Sequence, residues 1–143
     1  MILQSIVIIS YMAALPRIII PKNFDNHINP CEIEAAKILL MYFNQDVEFL
    51  VPSKAYKVKT PDVIVGGSVT WEIKCPVGSS KKPTIERQMN GLKQSRNLLI
   101  DGRRCALSDE VMIRQIKSEM YGGRRGARVL FIKKDDSTLE IHG

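Results

Sequence analysis

The stretch TPDVIVGGSVTWEIKCP, residues 60–76, decides the fold. Two short apolar runs flank Gly66 and Gly67 and predict a β-hairpin. In the second run Val69, Trp71, Ile73 and Cys75 alternate with Thr70, Glu72 and Lys74. Successive strand side chains point to opposite faces, so Glu72 and Lys74 share one face and Trp71 and Ile73 the other. Two registers are open. A two-residue loop pairs Val65 with Ser68 and sets Asp62 against Trp71. A three-residue loop, Gly66-Gly67-Ser68, pairs Val65 with Val69 and Val63 with Trp71, and sets Asp62 against Glu72. Only the second gathers the valines and Trp71 on one face, and a one-residue slip would turn an apolar set to the wrong side.

The selected register brings two carboxylates together with a lysine next along the strand. Directly opposed like charges are destabilising, so the pair needs a cation or a shared proton. A hard metal such as Mg²⁺ is bound by one or two carboxylates together with waters and substrate phosphates. Asp62 and Glu72 are thus candidate ligands of a divalent metal. Lys74 is the candidate to orient or deprotonate the attacking water, or to neutralise charge on a reacting phosphate. The bland alternative is a solvated hairpin face carrying a Glu–Lys pair of small energetic value. Pro61 before Asp62, and the basic loop and helix that follow the hairpin, favour the site over that face.

Charge supports a polyanionic partner. Residues 1–52 carry three Lys/Arg and five Asp/Glu, while residues 53–143 carry eighteen and ten, so the basic part begins at the hairpin. A positive field of this kind attracts nucleic acid. Aromatics make up only 6% and do not interleave with basic residues, which argues against a single-strand binder built on stacking. The three cysteines, Cys31, Cys75 and Cys105, are scattered without a C-x-x-C, which argues against structural zinc and fits a reducing compartment. His27 and His142 read as surface residues rather than as an acid–base pair. The apolar N-terminal stretch is interrupted by Gln4, Ser5 and Ser10, ends at Pro16-Arg17 and has no basic region before it. It reads as an apolar extension over residues 1–24 rather than a membrane span, with the domain proper over 25–143.

Around the hairpin the pattern predicts a helix over 29–45, opened by Asn29 and Pro30, and a strand over 47–52. A basic polar loop covers 53–61. A second amphipathic helix, over 84–97, carries Ile85, Met89 and Leu92 on one face; Gly91 weakens it or marks close packing. A buried strand at 98–101 follows, then a helix capped by Ser108, a strand over 128–134 and a final strand at 138–142. Strands and helices in this order predict an α/β or α+β domain with helices covering a sheet.

The Pro61-Asp62 pair and, after nine intervening residues, Glu72-Ile73-Lys74 resemble the PD-(D/E)xK signature of restriction-endonuclease-like proteins. The ordered set CEIEAAKIL, DVEFLVPS, KTPDVIVGG, WEIKCPVGSSKKPTIERQ, QSRNLLIDGRR and RVLFIKKD resembles the C-terminal tRNase domain of contact-dependent growth-inhibition toxins and related mobile-element proteins, over roughly residues 25–141. That resemblance implies a restriction-endonuclease-like mixed sheet, with a barnase/colicin-like RNase fold as the alternative. It implies an endonuclease cleaving RNA, tRNA in particular, by metal-assisted attack of water. It implies a cytoplasmic site of action, delivery as a toxin, a cognate immunity protein and no membrane role. It adds Glu32 to the metal ligands, with Mg²⁺ as the expected ion. It assigns Ser79, Ser80, Lys81, Thr84, Arg87 and Gln88 to substrate binding, and makes Arg103 either a phosphate clamp or a salt-bridge partner of Asp101. Cys31 stands where a polar residue, often histidine, is expected, which counts against a histidine-assisted variant. A DNA endonuclease and a catalytically silent nucleic-acid-binding domain are the competing functions.

Overall fold

A computed structural model describes residues 15–24, 28–78, 81–122 and 124–143, with the backbone alone for 81–84. Seven strands form one mixed sheet whose spatial order follows the chain: β1 (Ile18–Ile19), β2 (Val47–Phe49), β3 (Val63–Val65), β4 (Val69–Lys74), β5 (Asn97–Asp101), β6 (Arg128–Ile132) and β7 (Thr138–His142). The hairpins β2–β3, β3–β4 and β6–β7 are antiparallel; β1–β2, β4–β5 and β5–β6 are parallel. Each parallel connection carries a helix, since a crossover needs the extra chain. These helices are α1 (Pro30–Phe43), α2 (Lys81–Met89), which runs into a 3₁₀ segment (Asn90–Lys93), and α3 (Asp109–Met120).

Strand alternation divides the core into two layers. Trp71, Ile73, Leu99, Leu130 and Ile132 join Ala35, Ala36 and Leu39 of α1 on one face. Leu98, Ile100, Val129 and Phe131 join Ile85, Met89, Met112 and Ile116 of α2 and α3 on the other. The result is the three-layer α+β architecture expected when helices cover both faces of a largely buried sheet. The caps form where the side chains predict them: Asn29 accepts from Cys31 N–H at 3.1 Å, and Ser108 accepts from Val111 N–H at 3.3 Å. Asn44, in the left-handed region at φ 53°, ends α1 with its N–H on the Leu40 carbonyl at 2.7 Å.

The hairpin register is the one that burial selects. Val63 faces Trp71 and Val65 faces Val69 across the loop Gly66-Gly67-Ser68. Gly66 and Gly67 sit at φ 61° and 73°, where a side chain would be strained. One element was not read from the pattern. Ile18 and Ile19, inside the apolar stretch 1–24, pair in parallel with Val47 and Glu48, so the sheet takes in part of that stretch. Residues 1–14 lie outside the described residues. The second helix is shorter than the periodicity implies, because its last turn tightens to 3₁₀ at Asn90–Lys93.

Candidate active site at the hairpin fork

The strand β4 changes neighbours halfway along. Val69–Trp71 pair with β3, and Glu72–Lys74 pair with Leu98–Ile100 of β5. Past Val63 the ladder with β3 ends, so Asp62 sits where the two strands part. Its carboxylate fills the gap by accepting from Ile73 N–H at 2.7 Å, while its carbonyl accepts from Leu50 N–H at 2.9 Å. The expected cross-strand neighbourhood of Asp62 and Glu72 is therefore made by a side chain replacing the next ladder bond. The backbone bond holds Asp62 in one orientation.

Glu72 is 5% exposed, on the face covered by α2 and the 3₁₀ segment. Lys74 Nζ lies 3.5 Å from Glu72 Oε1. Burial first, then the charge and hydrogen bonding of Asp62, push the Glu72 carboxyl up against the pull of Lys74, to about 8. With both carboxylates ionised, Glu72 Oε2 is buried without a hydrogen-bond partner. A proton shared with Asp62 or a bound cation would satisfy it. Glu32, at the start of α1, is raised by burial and then by the charge of Asp62, with Lys74 opposing, so it lies within electrostatic reach of the same groups.

Burial also pushes the Cys75 thiol up, and the neighbouring Cys31 thiol raises it further. Cys31 and Cys75 thus stand next to Glu32 and Lys74 in the chain, with Cys31 where a histidine would have supplied an acid–base group.

The structure places the remaining expected residues unevenly. Arg103 is engaged in ion pairs. Its Nε and Nη2 donate to the two oxygens of the buried Asp101 at 2.9 and 2.8 Å, and its Nη1 donates to Asp136 at 3.0 Å. Of the two roles open to it, the salt bridge is the one observed. Arg87 is exposed and Gln88 half-buried on α2. Ser79 and Ser80 lie outside the described residues, as do the side chains of Lys81 and Thr84.

Gly91 belongs to the site through what it lacks. A Cβ there would come within 2.7 Å of Leu98 Cδ1, 3.0 Å of Glu72 Cγ and 3.3 Å of Lys74 Cε. The 3₁₀ segment can lie on the Glu–Lys pair only because this residue has no side chain. A glycine interrupting a helical pattern was the signal for it in the sequence, and close packing is the reading the structure bears out.

The contact-dependent growth inhibition CdiA C-terminal domain model matches residues 59–138. The chain belongs to that family. The matched region of this CdiA C-terminal domain holds Asp62, Glu72, Lys74, Gly91 and Arg103, so the whole fork lies within it. A solved CdiA-CT/CdiI toxin and immunity complex from Burkholderia pseudomallei shares the fold, with a TM-score of 0.58 and 16% identity over 89% of this chain and 99% of that one. No curated protein matches the chain in sequence. No helix among the described residues is long and apolar enough to cross a membrane.

Asp62 and Glu72 are the donors a hard cation would use here. Among the described residues no group of three or more His, Cys, Asp or Glu is arranged to hold a metal. Mg²⁺, however, is commonly held by one or two carboxylates with the remaining positions left to water and phosphate. Asp62 and Glu72 offer that pair, and the orphaned Glu72 Oε2 offers a free acceptor.

The raised Glu72 carboxyl has a consequence for stability. The unfolded chain releases this proton near its ordinary value, and the folded chain keeps it to about pH 8. Between these values the unfolded state binds fewer protons, so stability falls as pH rises, by at most about 1.4 kcal/mol per pH unit. Urea unfolding at pH 5, 6.5 and 8 should show this slope in the wild type and a flatter one in Glu72→Gln. Equal slopes in the two proteins would show that Glu72 does not titrate this way.

Proposed function

We propose that this CdiA C-terminal domain is a toxin nuclease that hydrolyses phosphodiester bonds in RNA, with tRNA as the substrate its family resemblance implies. The observation that carries the reading is the buried Glu72 carboxylate, one oxygen of it unpartnered, held beside Asp62 and Lys74 at the fork of the sheet. Asp62, locked by Ile73 N–H, presents its remaining acceptor capacity to a fixed point. Lys74, partly exposed, would set its ammonium against the negative charge that builds on a phosphate under attack. Glu72, whose proton affinity is high, is able to take a proton from water or return one. A divalent cation held by Asp62 and Glu72, with Glu32 within electrostatic reach only, would supply Lewis-acid polarisation of the phosphate and a more acidic bound water. The similar fold in a toxin and immunity complex supports a cognate immunity protein as the second partner.

The test uses the purified protein with tRNA and with plasmid DNA, in Mg²⁺ and in chelator. Cleavage of tRNA in Mg²⁺ and its loss in chelator are expected. Cleavage of DNA alone would move the substrate class, and cleavage untouched by chelator would remove the metal. Failure to cut either polymer would overturn the nuclease reading.

A further inference from the structure

A second cationic feature lies at the other end of β5 from Asp101. Arg96, Arg124 and Arg125, with Leu92 and Ala127, line a concave pocket of about 270 Å³. The Arg96 side chain and the backbone of the 124–127 turn are held in place. Arg96 Nη1 donates to the Arg125 carbonyl at 3.0 Å, and the Arg96 carbonyl accepts from Arg128 N–H at 2.9 Å. Ala127 N–H closes the turn on the Arg124 carbonyl at 3.1 Å. Gly126, at φ 76°, leaves room for Arg96, since a Cβ there would lie 2.8 Å from its Nη1.

Little acid offsets these charges. Glu119 approaches Arg124 at 3.9 Å, and among the described residues no carboxylate pairs with Arg96 or Arg125. Three arginines lining one hollow with so little acid leave it positively charged, and a bound anion would offset that charge. The pocket is also tied to the fork. Leu92 lines it, while the preceding residue, Gly91, lies against Glu72 and Lys74. Ile100, the strand partner of Lys74, is four residues beyond Arg96, or about 13 Å at about 3.3 Å per residue.

We propose that the Arg96–Arg124–Arg125 pocket binds a backbone phosphate of the polynucleotide on one side of the bond that is cleaved. The proposal rests on the nuclease reading for its substrate. Guanidinium forks match phosphate oxygens in geometry and read no base, so the pocket adds affinity and register without sequence preference.

The experiment measures binding of a short fluorescein-labelled RNA to the full chain by anisotropy in chelator, across a salt series, for wild type, Arg124→Gln/Arg125→Gln and Arg124→Lys/Arg125→Lys. The Gln pair should weaken binding about tenfold and reduce the slope of log K against log salt by about 0.7, the value for one phosphate of a single strand. The Lys pair should keep most of the slope. Cleavage of a dinucleotide, too short to reach the pocket, should be unchanged in both. Unchanged RNA affinity and slope in the Gln pair overturn the proposal. So does loss of binding to a co-expressed immunity protein with RNA binding intact, which would assign the pocket to a protein partner. Because binding is read in chelator, RNA binding that the Gln pair weakens, without cleavage in Mg²⁺, would overturn the nuclease reading and leave the pocket as a backbone-phosphate site only.

Discussion

Lys74→Ala is expected to lower tRNA cleavage at least a hundredfold while the domain stays folded. Transition-state donors and acid–base groups each contribute about a hundred- to a thousandfold or more, and among the described residues Lys74 is the cation paired with the Glu72 carboxylate. Its side chain is 32% exposed, so truncation opens no large cavity. The loss should therefore appear in single-turnover cleavage rate rather than in unfolding midpoint. Removing the ammonium also removes the one charge that draws the Glu72 carboxyl down, so the proton should be held to higher pH in the variant. Cleavage within threefold of wild type, with the fold intact, would take Lys74 out of the mechanism.

Gly91→Ala should impair the site from the opposite side. In an exposed helical turn alanine would stabilise the chain relative to glycine. Here the new methyl would meet Leu98 Cδ1 at 2.7 Å, and Leu98 is fully buried. Leu98 cannot swing into solvent, so the 3₁₀ segment must lift or Glu72 and Lys74 must shift. Overpacking of this kind costs about 1–3 kcal/mol. A displacement near 1 Å at the reacting groups can cost about a hundredfold in rate. Chemical denaturation and single-turnover cleavage together give the check. Loss of stability with full activity would mean that the backbone absorbs the strain and Gly91 only packs. An unchanged or improved stability would mean that the close approach does not exist.

Much of the fork was legible because its determinants are local. The alternation Val63, Val65, Val69, Trp71 allows one register that sets all four on one face, where Val63, Val65 and Trp71 are buried, and Gly66-Gly67 permits the turn it requires. Asn29 and Ser108 mark helix starts because a side-chain oxygen satisfies an N–H within three residues. The edge strand Ile18–Ile19 was not legible, since two residues have no period and their parallel partners lie 29 residues away. Nor was the state of Arg103. The sequence places it two residues after Asp101, but its third contact, Asp136, comes from the β6–β7 turn.

By itself the sequence determined the hairpin register, the face shared by Glu72 and Lys74, and the presence of Asp62 beside them. These follow from a two-residue period and from the cost of exposing valine and tryptophan. Only the tertiary structure decided that β4 leaves β3 at Glu72 and joins β5, which buries that carboxylate and raises its proton affinity. Only the tertiary structure laid Gly91 over the pair and gathered Arg96 with Arg124 and Arg125. These contacts join residues far apart in the chain, and their energies depend on which surfaces the folded layers remove from water.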